Sequence, residues 1–312
     1  MYILGIESSC DETSAAVVEA DDSSRRIAAD IVASQIDIHR LYGGVVPEIA
    51  GRAHIEAVTR ITHEALDEAK ITLGDVGLVA VTSHPGLIGA LLVGVNFAKS
   101  LAVANGIPLV GVDHVRAHIA AAYAAYPDLA PPFLGVVLSG GHTSFYIVDG
   151  YASFHEIGST RDDAAGEAFD KIGRVIGMPY PGGAAMDRLA YEGNPHAYKL
   201  PSPALAGDTL DFSFSGLKTA ALNLIHNAAD GFAKKLGMAL DATGLSTVVV
   251  AGGVSANSHL RAAADNVCKQ HGARLCLPPL NLCGDNAAMV ALQGYYEYKC
   301  GARAASDLNA SA

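Results

Sequence analysis

The sequence predicts an α/β protein with doubly wound sheets, in which one structural design occurs twice. Apolar runs of strand length alternate with Gly-rich turns and helical stretches along the 312 residues, as in strands that are followed by packed helices. A strand–small polar turn–strand unit stands at residues 1–19 and returns at residues 133–148, which indicates an internal duplication. Half of the residues are hydrophobic and 33 are glycines, so the chain is large enough for two domains.

The composition favours a cytoplasmic protein. Five cysteines without a C-x-x-C pair are expected to be reduced thiols. Glycine interrupts the longest apolar run, at residues 87–95, and the N-terminus lacks the basic flank of a signal peptide. We therefore expect no membrane contact. The net charge of −11 disfavours binding of nucleic acid without help, because phosphates are attracted by a basic field.

The first copy of the repeated unit has strands at 1–7 and 14–19 around a polar turn at 8–13, and a third strand is expected at 25–34. Pro47 is well placed to begin a long amphipathic helix that runs to about Lys70. The segment 39–63 is the most cationic in the chain, which fits either a solvated helix face or a docking surface for an acidic partner. Its cationic side chains are His39, Arg40, Arg52, His54, Arg60 and His63.

A strand at 76–82 leads into an apolar helix that begins near Pro85 and ends near Asn105. Small residues on more than one face of this helix would permit close packing. The helix either packs on its own sheet or is buried against a second protein molecule. The second alternative predicts a homodimer or a heterodimer through the first lobe.

Two histidines follow the apolar strand at 107–112. His114 and His118 are four residues apart on a predicted helix from 114 to 126, so both imidazoles project from one face. Such a pair can share a divalent metal that has a further ligand elsewhere. Two helical histidines with solvent or backbone partners are the alternative, but a strand-to-helix junction is the usual place for ligand sites in α/β sheets.

The second copy of the unit has a Ser/Gly turn at 139–143, whose backbone N–H groups can cradle phosphate oxygens. A hairpin turn without a ligand is the alternative. Further on, an acidic helix at 162–177, a Gly-rich loop at 180–183, a strand at 246–250 and a turn at 251–257 continue the doubly wound pattern.

Asp285 is the candidate third metal ligand, because it lies at the start of the last helix near 284–300. It could instead cap that helix. Cys283 is a softer alternative, although a carboxylate better suits a metal that also holds substrate oxygens.

Together these motifs resemble the TsaD family, the tRNA adenosine threonylcarbamoyltransferases once labelled O-sialoglycoprotein endopeptidases. The resemblance covers nearly the whole chain. It rests on motifs that occur in one order: GIESSCDET at 5–13, YGGVVPE at 42–48, residues 106–114 with His118, LSGGHT at 138–143, residues 162–170 and 180–183, FSFSGLK at 212–218, GGVSAN at 252–257 and GDNAAM at 284–289.

The resemblance implies an actin/hexokinase/Hsp70-like (ASKHA) fold with two lobes and a central cleft. The N-terminal lobe would comprise residues 1–130 together with the last helix near 284–300. The C-terminal lobe would comprise residues 131–301, and residues 302–312 would form a flexible tail.

The resemblance also implies the site residues. His114, His118 and Asp285 match the family's ligands for one divalent metal per subunit, with Fe²⁺ favoured over Zn²⁺. Asp11 and Glu12 match an acidic pair near the reacting centre, where Glu12 suits proton removal from a weak amine nucleophile. The residues that match contacts to an adenylate substrate or ATP in the cleft are Val137, Leu138, Ser139, Gly140, Gly141, Asp170, Gly183, Asp187 and Asn257.

The implied reaction transfers a threonylcarbamoyl group from threonylcarbamoyl-AMP to N6 of adenosine 37 in tRNAs that read codons beginning with A, together with TsaB-like and TsaE-like proteins. One rival is a non-catalytic nucleotide-binding scaffold of the same fold. The other is a metallopeptidase, but Val115 stands where such enzymes carry the catalytic glutamate.

Overall fold

The computed structural model describes residues 1–21, 24–175, 177–193, 202–205, 207–217, 224–304 and 308–311. Parts of the expected loop at 194–211 and of the helix expected after residue 212 lie outside these residues. The chain divides into two compact units. Unit 1 is Met1–Leu129 with Asp285–Ala312, and unit 2 is Ala130–Gly284.

In chain order, the strands are β1 Tyr2–Glu7, β2 Glu12–Ala20, β3 Arg25–Ser34, β4 Val76–His84, β5 Leu109–Asp113, β6 Phe133–Leu138, β7 Thr143–Gly150, β8 Ser153–Ser159, β9 Thr247–Ala251 and β10 Arg274–Cys276. The helices are α1 Ile36–Arg40, α2 Pro47–Ala69, α3 Ile88–Asn105, α4 His114–Ala120, α5 Ala122–Ala125, α6 Ala165–Val175, α7 Gly182–Ala190, α8 Leu224–Thr243, α9 Ser258–Gln270 and α10 Ala287–Lys299.

Each unit contains a five-stranded sheet, and the two sheets have the same topology. The strand order is β3-β2-β1-β4-β5 in unit 1 and, read in the matching direction, β8-β7-β6-β9-β10 in unit 2. In each sheet the first three strands pair with one another in antiparallel fashion, and the third, fourth and fifth strands pair in parallel. The predicted duplication and the α/β fold class are therefore confirmed.

Helix α10 lies directly on the sheet of unit 1, against β1, β2 and β4. Two glycines make this close approach feasible. A Cβ at Gly5 would lie 2.1 Å from the carbonyl oxygen of Ala287, and a Cβ at Gly294 would lie 2.4 Å from the Cβ of Ala80. Because side chains are excluded at both points, the packing fixes where the helix begins and how it lies on the sheet.

The other apolar side chains of this sheet pack with α2 and α3. Val58 and Ile61 of α2 and Val95 of α3 are buried in one cluster with strand residues such as Leu4 and Val81.

Among the helices that the structure describes, only α3 is long and apolar enough to cross a membrane, with a mean hydropathy of 1.4. One such helix is weak evidence for a membrane, since core helices of similar composition are common.

The core of unit 2 is built around aromatic side chains. The ring of Phe212 stacks with two others: its centroid lies 5.5 Å from that of Phe145 and 6.0 Å from that of Phe214. They share this core with Leu236 of α8 and with apolar residues of β6 and β9. The ammonium group of Lys235, a fully buried residue, donates to the carbonyl oxygens of Leu205 and Thr209. The desolvation of that group is thereby partly offset.

Several elements differ from the sequence-based expectation. Strand β8 had not been expected, and β2 begins at Glu12 rather than Ser14, which places Glu12 inside a ladder. The helix expected over 114–126 breaks into α4 and α5.

The chain after Gly301, for which a flexible tail was expected, lies along unit 1 where it is described. The N–H groups of Ala304 and Ser311 donate to the carbonyl oxygens of Leu109 and Ser83, at 2.8 and 3.0 Å. Strand β5 is at the edge of the sheet and offers unpaired backbone groups, which gives the tail a place to bind.

Candidate active site

The two histidines lie at the junction between β5 and α4. Asp113 ends the strand and caps the helix, because its Oδ1 accepts the N–H groups of Val115 and Arg116 at 2.8 and 3.0 Å. His114 and His118 are therefore on the first and second turns of a capped helix. Both are buried, with 5% and 1% of their surfaces exposed, and their ring centroids are 4.5 Å apart.

Asp285 meets both histidines from the start of α10. Its Oδ1 lies 3.4 Å from Nε2 of His118 and 3.6 Å from Nε2 of His114. The alternative role as a helix cap belongs to Asn286, whose side chain accepts the N–H of Met289 at 2.9 Å. Asp285 is thus left to face the imidazoles. One ligand atom from each of the three side chains lies within 4.8 Å of the others.

Two residues of the sheet hold the start of α10. Ser14 Oγ accepts the N–H of Ala287 at 2.8 Å and donates to Oδ1 of Asp30 at 3.3 Å. Burial raises the pKa of Asp30 to about 6, although its bonds with Ser14 and with the backbone of Ala288 and Ala287 oppose that shift. The position of Asp285 is therefore set by hydrogen bonds to β2 and β3.

The electrostatics of this cluster suit a bound cation. Burial raises the pKa of Asp285 to about 6; the neighbouring His114 opposes the rise, while Glu7 and Asp11 add to it. Burial alone would lower the pKa of His114, but Asp285 and Glu7 outweigh it and raise the pKa to about 9. Negative groups therefore outnumber positive ones around the imidazoles. The donor set, two imidazoles and a carboxylate, is one that divalent transition metals accept.

The acidic pair follows β1 in the same unit. Burial raises the pKa of Glu12 to about 8, and the charges of Asp285 and Asp11 add to the rise. The pKa of the Cys10 thiol is also raised, by burial and then by Asp11 and Asp285. Cys10 is therefore a protonated thiol and a poor metal ligand, whereas Glu12 is a more basic carboxylate than usual.

A network of buried polar side chains supports the loop that carries this pair. His54 Nδ1 lies 2.8 Å from Thr13 Oγ1, and its Nε2 lies 3.0 Å from the carbonyl oxygen of Cys10. Gln35 joins the network: its N–H donates to the carbonyl oxygen of Asp11 at 3.0 Å, and its Oε1 lies 3.1 Å from Nε2 of His39. The N-terminal half of α2 and the loop before β2 are thus held together.

The interpretation of residues 39–63 as a cationic surface needs correction. His39 and His54 are fully buried, because they serve the network around the acidic loop. Arg40 pairs with Asp37 at 3.1 Å, and Arg60 pairs with Glu64 at 2.7 Å. The positive field of this segment is therefore weaker than its composition suggests.

In unit 2, the predicted substrate residues begin at the end of β6. Val137 and Leu138 are buried strand residues. Ser139 closes the turn, since its N–H donates to the carbonyl oxygen of His142 at 2.8 Å and its Oγ accepts the N–H of His142 at 3.0 Å.

The two glycines of this turn, Gly140 and Gly141, have open space where a Cβ would be. The turn can therefore admit a ligand close to its backbone. A Cβ at Gly252 would lie 2.7 Å from the carbonyl oxygen of Leu138, so the Gly-rich turn after β9 packs against the end of β6.

The remaining predicted contacts are distributed over α6, α7 and the start of α9. Asp187 Oδ1 accepts from Asn257 Nδ2 at 3.1 Å and from Ser258 Oγ at 2.9 Å, so the structure brings Asp187 and Asn257 together. Asp170 Oδ1 accepts the N–H of Gly182 at 2.7 Å. Gly183 follows directly and lies against Phe169.

Sequence reasoning missed two residues that shape these sites. Glu7 is fully buried beside His114, and a carboxylate at the end of an apolar strand is a signal that could have revealed it. Gly166, at the start of α6, would place a Cβ 2.7 Å from the carbonyl oxygen of Ser139. The glycine lets the helix start touch the Ser/Gly turn.

Comparison with known proteins identifies the family. The family model described as TsaD, tRNA N6-adenosine threonylcarbamoyltransferase, matches residues 26–292. The chain belongs to this family. It is 48% identical to a tRNA N6-adenosine threonylcarbamoyltransferase of Clostridium botulinum (strain 657 / Type Ba4), over 99% of this chain and 96% of that protein. A protein of the same name from Anaeromyxobacter dehalogenans (strain 2CP-C) is also 48% identical, over 99% of this chain and 97% of its own length.

Solved structures support the fold at much lower identity. The ROK hexokinase from Thermus thermophilus aligns with a TM-score of 0.56 at 16% identity, over 96% of this chain and all of that chain. The (R)-2-hydroxyglutaryl-CoA dehydratase component A of Acidaminococcus fermentans aligns with a TM-score of 0.58 at 14% identity, over 96% of this chain and 99% of that chain. These likenesses show an actin/hexokinase-like fold and nothing about the reaction.

Proposed function

We propose that this chain transfers a threonylcarbamoyl group from threonylcarbamoyl-AMP to N6 of adenosine 37 in tRNAs that read codons beginning with A. The observation that carries the proposal is the convergence of His114, His118 and Asp285 within 4.8 Å in a member of this transferase family. The cluster lies beside Asp11 and Glu12, where the turn after β1 meets β2, so binding and proton-accepting groups share one region.

His114, His118 and Asp285 would hold one divalent metal, for which we favour Fe²⁺ over Zn²⁺. Such an ion, when bound, supplies Lewis acidity and a template for substrate oxygens. Three protein ligands leave coordination positions for a substrate, as in other catalytic metal sites. The buried carboxylates nearby favour a cation over a neutral ligand.

Glu12 would remove the proton from adenine N6 as the amine attacks the carbonyl carbon of the threonylcarbamoyl group. An exocyclic amine of adenine is a weak nucleophile, and a general base increases its reactivity as the new bond forms. The pKa of Glu12 is raised to about 8 by burial and by the charges of Asp285 and Asp11. A positive charge in the cluster would lower that pKa toward neutrality, where a general base works best.

The residues of unit 2 would bind the adenylate. The backbone N–H groups of Gly140 and Gly141 suit the phosphate, since the open space at both glycines permits close approach. Carboxylates suit ribose hydroxyls, and Asp187 is already oriented by Asn257. AMP is a good leaving group, so positioning would supply much of the rate acceleration.

The protein would act in the cytoplasm on tRNA, with TsaB-like and TsaE-like partners. Ile55 of α2 and Ile88, Leu92 and Val103 of α3 are exposed, and the two helices touch where Gly51 meets Gly89. Exposed apolar side chains on adjacent helices favour a protein partner for unit 1. Light scattering of the chain alone and with a TsaB-like protein tests for the homodimer or heterodimer.

The decisive experiment incubates the purified chain with threonylcarbamoyl-AMP labelled in the threonyl group, unmodified tRNA and the partner proteins. We expect label in the tRNA, located at adenosine 37 after nuclease digestion. Adenylate binding without label transfer would favour the nucleotide-binding scaffold. Cleavage of a glycoprotein substrate without label transfer would favour the metallopeptidase.

A further inference from the structure

We propose that Glu7 is a positioning residue of the metal centre, whose carboxylate fixes the tautomer and the orientation of His114. The inference rests on the proposed metal site and names the group that prepares one of its ligands. Glu7 ends β1, and none of its surface is exposed. A carboxylate in such a place needs strong hydrogen bonds to offset its desolvation.

Three donors meet this carboxylate. Oε1 accepts the backbone N–H of Ser9 at 2.5 Å, and Oε2 accepts the hydroxyl of Thr82 at 2.6 Å. Oε2 also lies 3.2 Å from Nδ1 of His114. The donors come from the turn after β1, from β4 and from α4, so the carboxylate is fixed from three sides.

The chemistry of these contacts determines which nitrogen of His114 carries hydrogen. An ionised carboxylate only accepts hydrogen bonds, so Nδ1 of His114 must be the donor. Ser9 Oγ, which lies 3.2 Å from the same nitrogen, can share that hydrogen. The lone pair of the neutral imidazole is then on Nε2, the nitrogen that lies 3.6 Å from Asp285 Oδ1. Glu7 thereby presents the correct nitrogen to a metal.

A buried carboxylate behind the ring also strengthens His114 as a ligand. Its negative charge makes Nε2 a better electron donor, which is the usual effect of a carboxylate bonded to a ligating histidine. The ring is additionally held in place, since Glu7 is itself fixed by Thr82 and Ser9. Both effects would increase the affinity for the metal.

The test is the Glu7→Gln variant, which has the same shape. The backbone N–H of Ser9 cannot rotate away, so the amide oxygen must face it and the amide NH₂ must face Thr82 and His114. That NH₂ group donates, so Nδ1 of His114 becomes an acceptor and its hydrogen moves to Nε2. We expect the affinity for Co²⁺, measured by competition with a chelator, to fall about 10- to 100-fold. The visible absorption bands of bound Co²⁺ should also change.

A second readout follows the tautomer directly. ¹⁵N NMR of the metal-free protein with labelled histidine is recorded at a pH above the raised pKa of His114, about 9, so that the imidazole is neutral. The spectrum should report hydrogen on Nδ1 of His114 in the wild type and on Nε2 in Glu7→Gln. A role for Glu7 in stability alone would leave this signal unmoved. Wild-type Co²⁺ affinity together with an unchanged tautomer in folded Glu7→Gln would overturn the inference.

Glu297→Gln is the matched control. It neutralises a partly buried carboxylate of unit 1, one that bonds to Gln293 rather than to a histidine. Its Co²⁺ affinity should equal that of the wild type. A loss as large as in Glu7→Gln would mean that any buried carboxylate of the unit matters, which contradicts a specific role for Glu7.

A milder pair of variants decides the matter if Glu7→Gln does not fold. Thr82→Val removes the hydroxyl that holds Glu7, whereas Thr82→Ser keeps it. We expect at least about a threefold weaker affinity for Thr82→Val and wild-type affinity for Thr82→Ser, as for a partner one step further from the metal. Equal affinities for both would overturn the proposal. Absence of Co²⁺ binding by the wild type would instead refute the metal site.

Discussion

The turns that follow β1 and β6 occupy the same place in two copies of one sheet, yet they carry opposite chemistry. Strand β1 ends in Glu7 and β6 ends in Leu138, and both are buried. After Glu7 come two serines, a thiol and two carboxylates, the latter at Asp11 and Glu12. After Leu138 comes a serine followed by two glycines, and neither glycine has a neighbour where a Cβ would be.

The difference shows what a duplicated scaffold leaves free to vary. The strand pairing is common to both copies, so the backbone of the turn is set by the fold. The side chains decide whether the turn concentrates negative charge or exposes N–H groups to an anion. In this chain the first turn suits a cation and a proton acceptor, and the second suits a phosphate.

The largest effect should come from the ligands beside the first turn. His118→Ala or Asp285→Ala should lose most bound metal and lower the transfer rate by about 1,000-fold, since a Lewis acid contributes several kcal/mol. Metal content measured by elemental analysis and tRNA labelling test this expectation. His63→Ala, at an exposed position of α2, is the control and should behave as wild type. Full metal occupancy in Asp285→Ala would show that another residue supplies the third ligand.

The next effect separates proton transfer from metal binding. Glu12→Gln keeps the shape of the side chain and removes the proton acceptor, so kcat should fall by about 100-fold or more. Metal content and KM for the adenylate should stay near the wild-type values. Single-turnover label transfer is the measurement. A loss of metal in this variant would place Glu12 among the ligands instead.

A pH series distinguishes the carboxylates of unit 1 from those of unit 2. Burial raises the pKa of Asp30 to about 6, above the value of about 3.9 expected in an unfolded chain. The charged form is therefore disfavoured in the fold, and its cost is relieved as the pH falls through about 6. The free energy of unfolding of the wild type, relative to Asp30→Asn, should rise by about 2 kcal/mol between about pH 7 and pH 4, after allowance for partial exposure.

Urea unfolding of both proteins across that pH range measures this difference. Asp162→Asn in unit 2 is the opposite case, because hydrogen bonds from Ser213 and from the backbone of Phe214 outweigh burial and lower the pKa of Asp162. The stability that Asp162 contributes should be lost as the pH falls. A pH-independent difference between the wild type and Asp30→Asn would contradict the effect of burial.

The smallest effect should come from unit 2. Asp187→Ala removes the acceptor for Asn257 and Ser258, so KM for the adenylate should rise about tenfold, as for loss of a hydrogen bond to a charged group. The metal content should not change. Asp149→Ala, at an aspartate of β7 that bonds to His155, is the control. A change in metal content in Asp187→Ala would mean that the two turns do not act separately.

Local patterns in the sequence predicted the duplication and much of the candidate site. Residues four apart on a helix share one face, so the sequence alone predicts that His114 and His118 lie together. The Gly-rich turns can be located from their glycines. The meeting of these histidines with Asp285 was an expectation from motif order, and the structure brings the three together. Their role as ligands stays a prediction.

Other features depend on packing between distant segments, which local patterns do not contain. Glu7 acquires its role from Thr82 and His114, which are 75 and 107 residues away. The histidines of segment 39–63 had predicted a positive surface, but tertiary contacts bury His39 and His54. A charge count along the sequence cannot tell a solvated imidazole from a buried one.

The placement of α10 has a consequence for how the protein is made. Unit 1 takes its first 129 residues from one end of the chain and its last helix from the other. During synthesis on the ribosome, the face of this sheet that α10 covers stays exposed until the whole of unit 2 has been synthesised. Asp285 emerges immediately before α10, so the helix that covers the sheet also delivers the third candidate ligand. A prematurely terminated product, even one with an intact unit 2, would lack the complete metal centre.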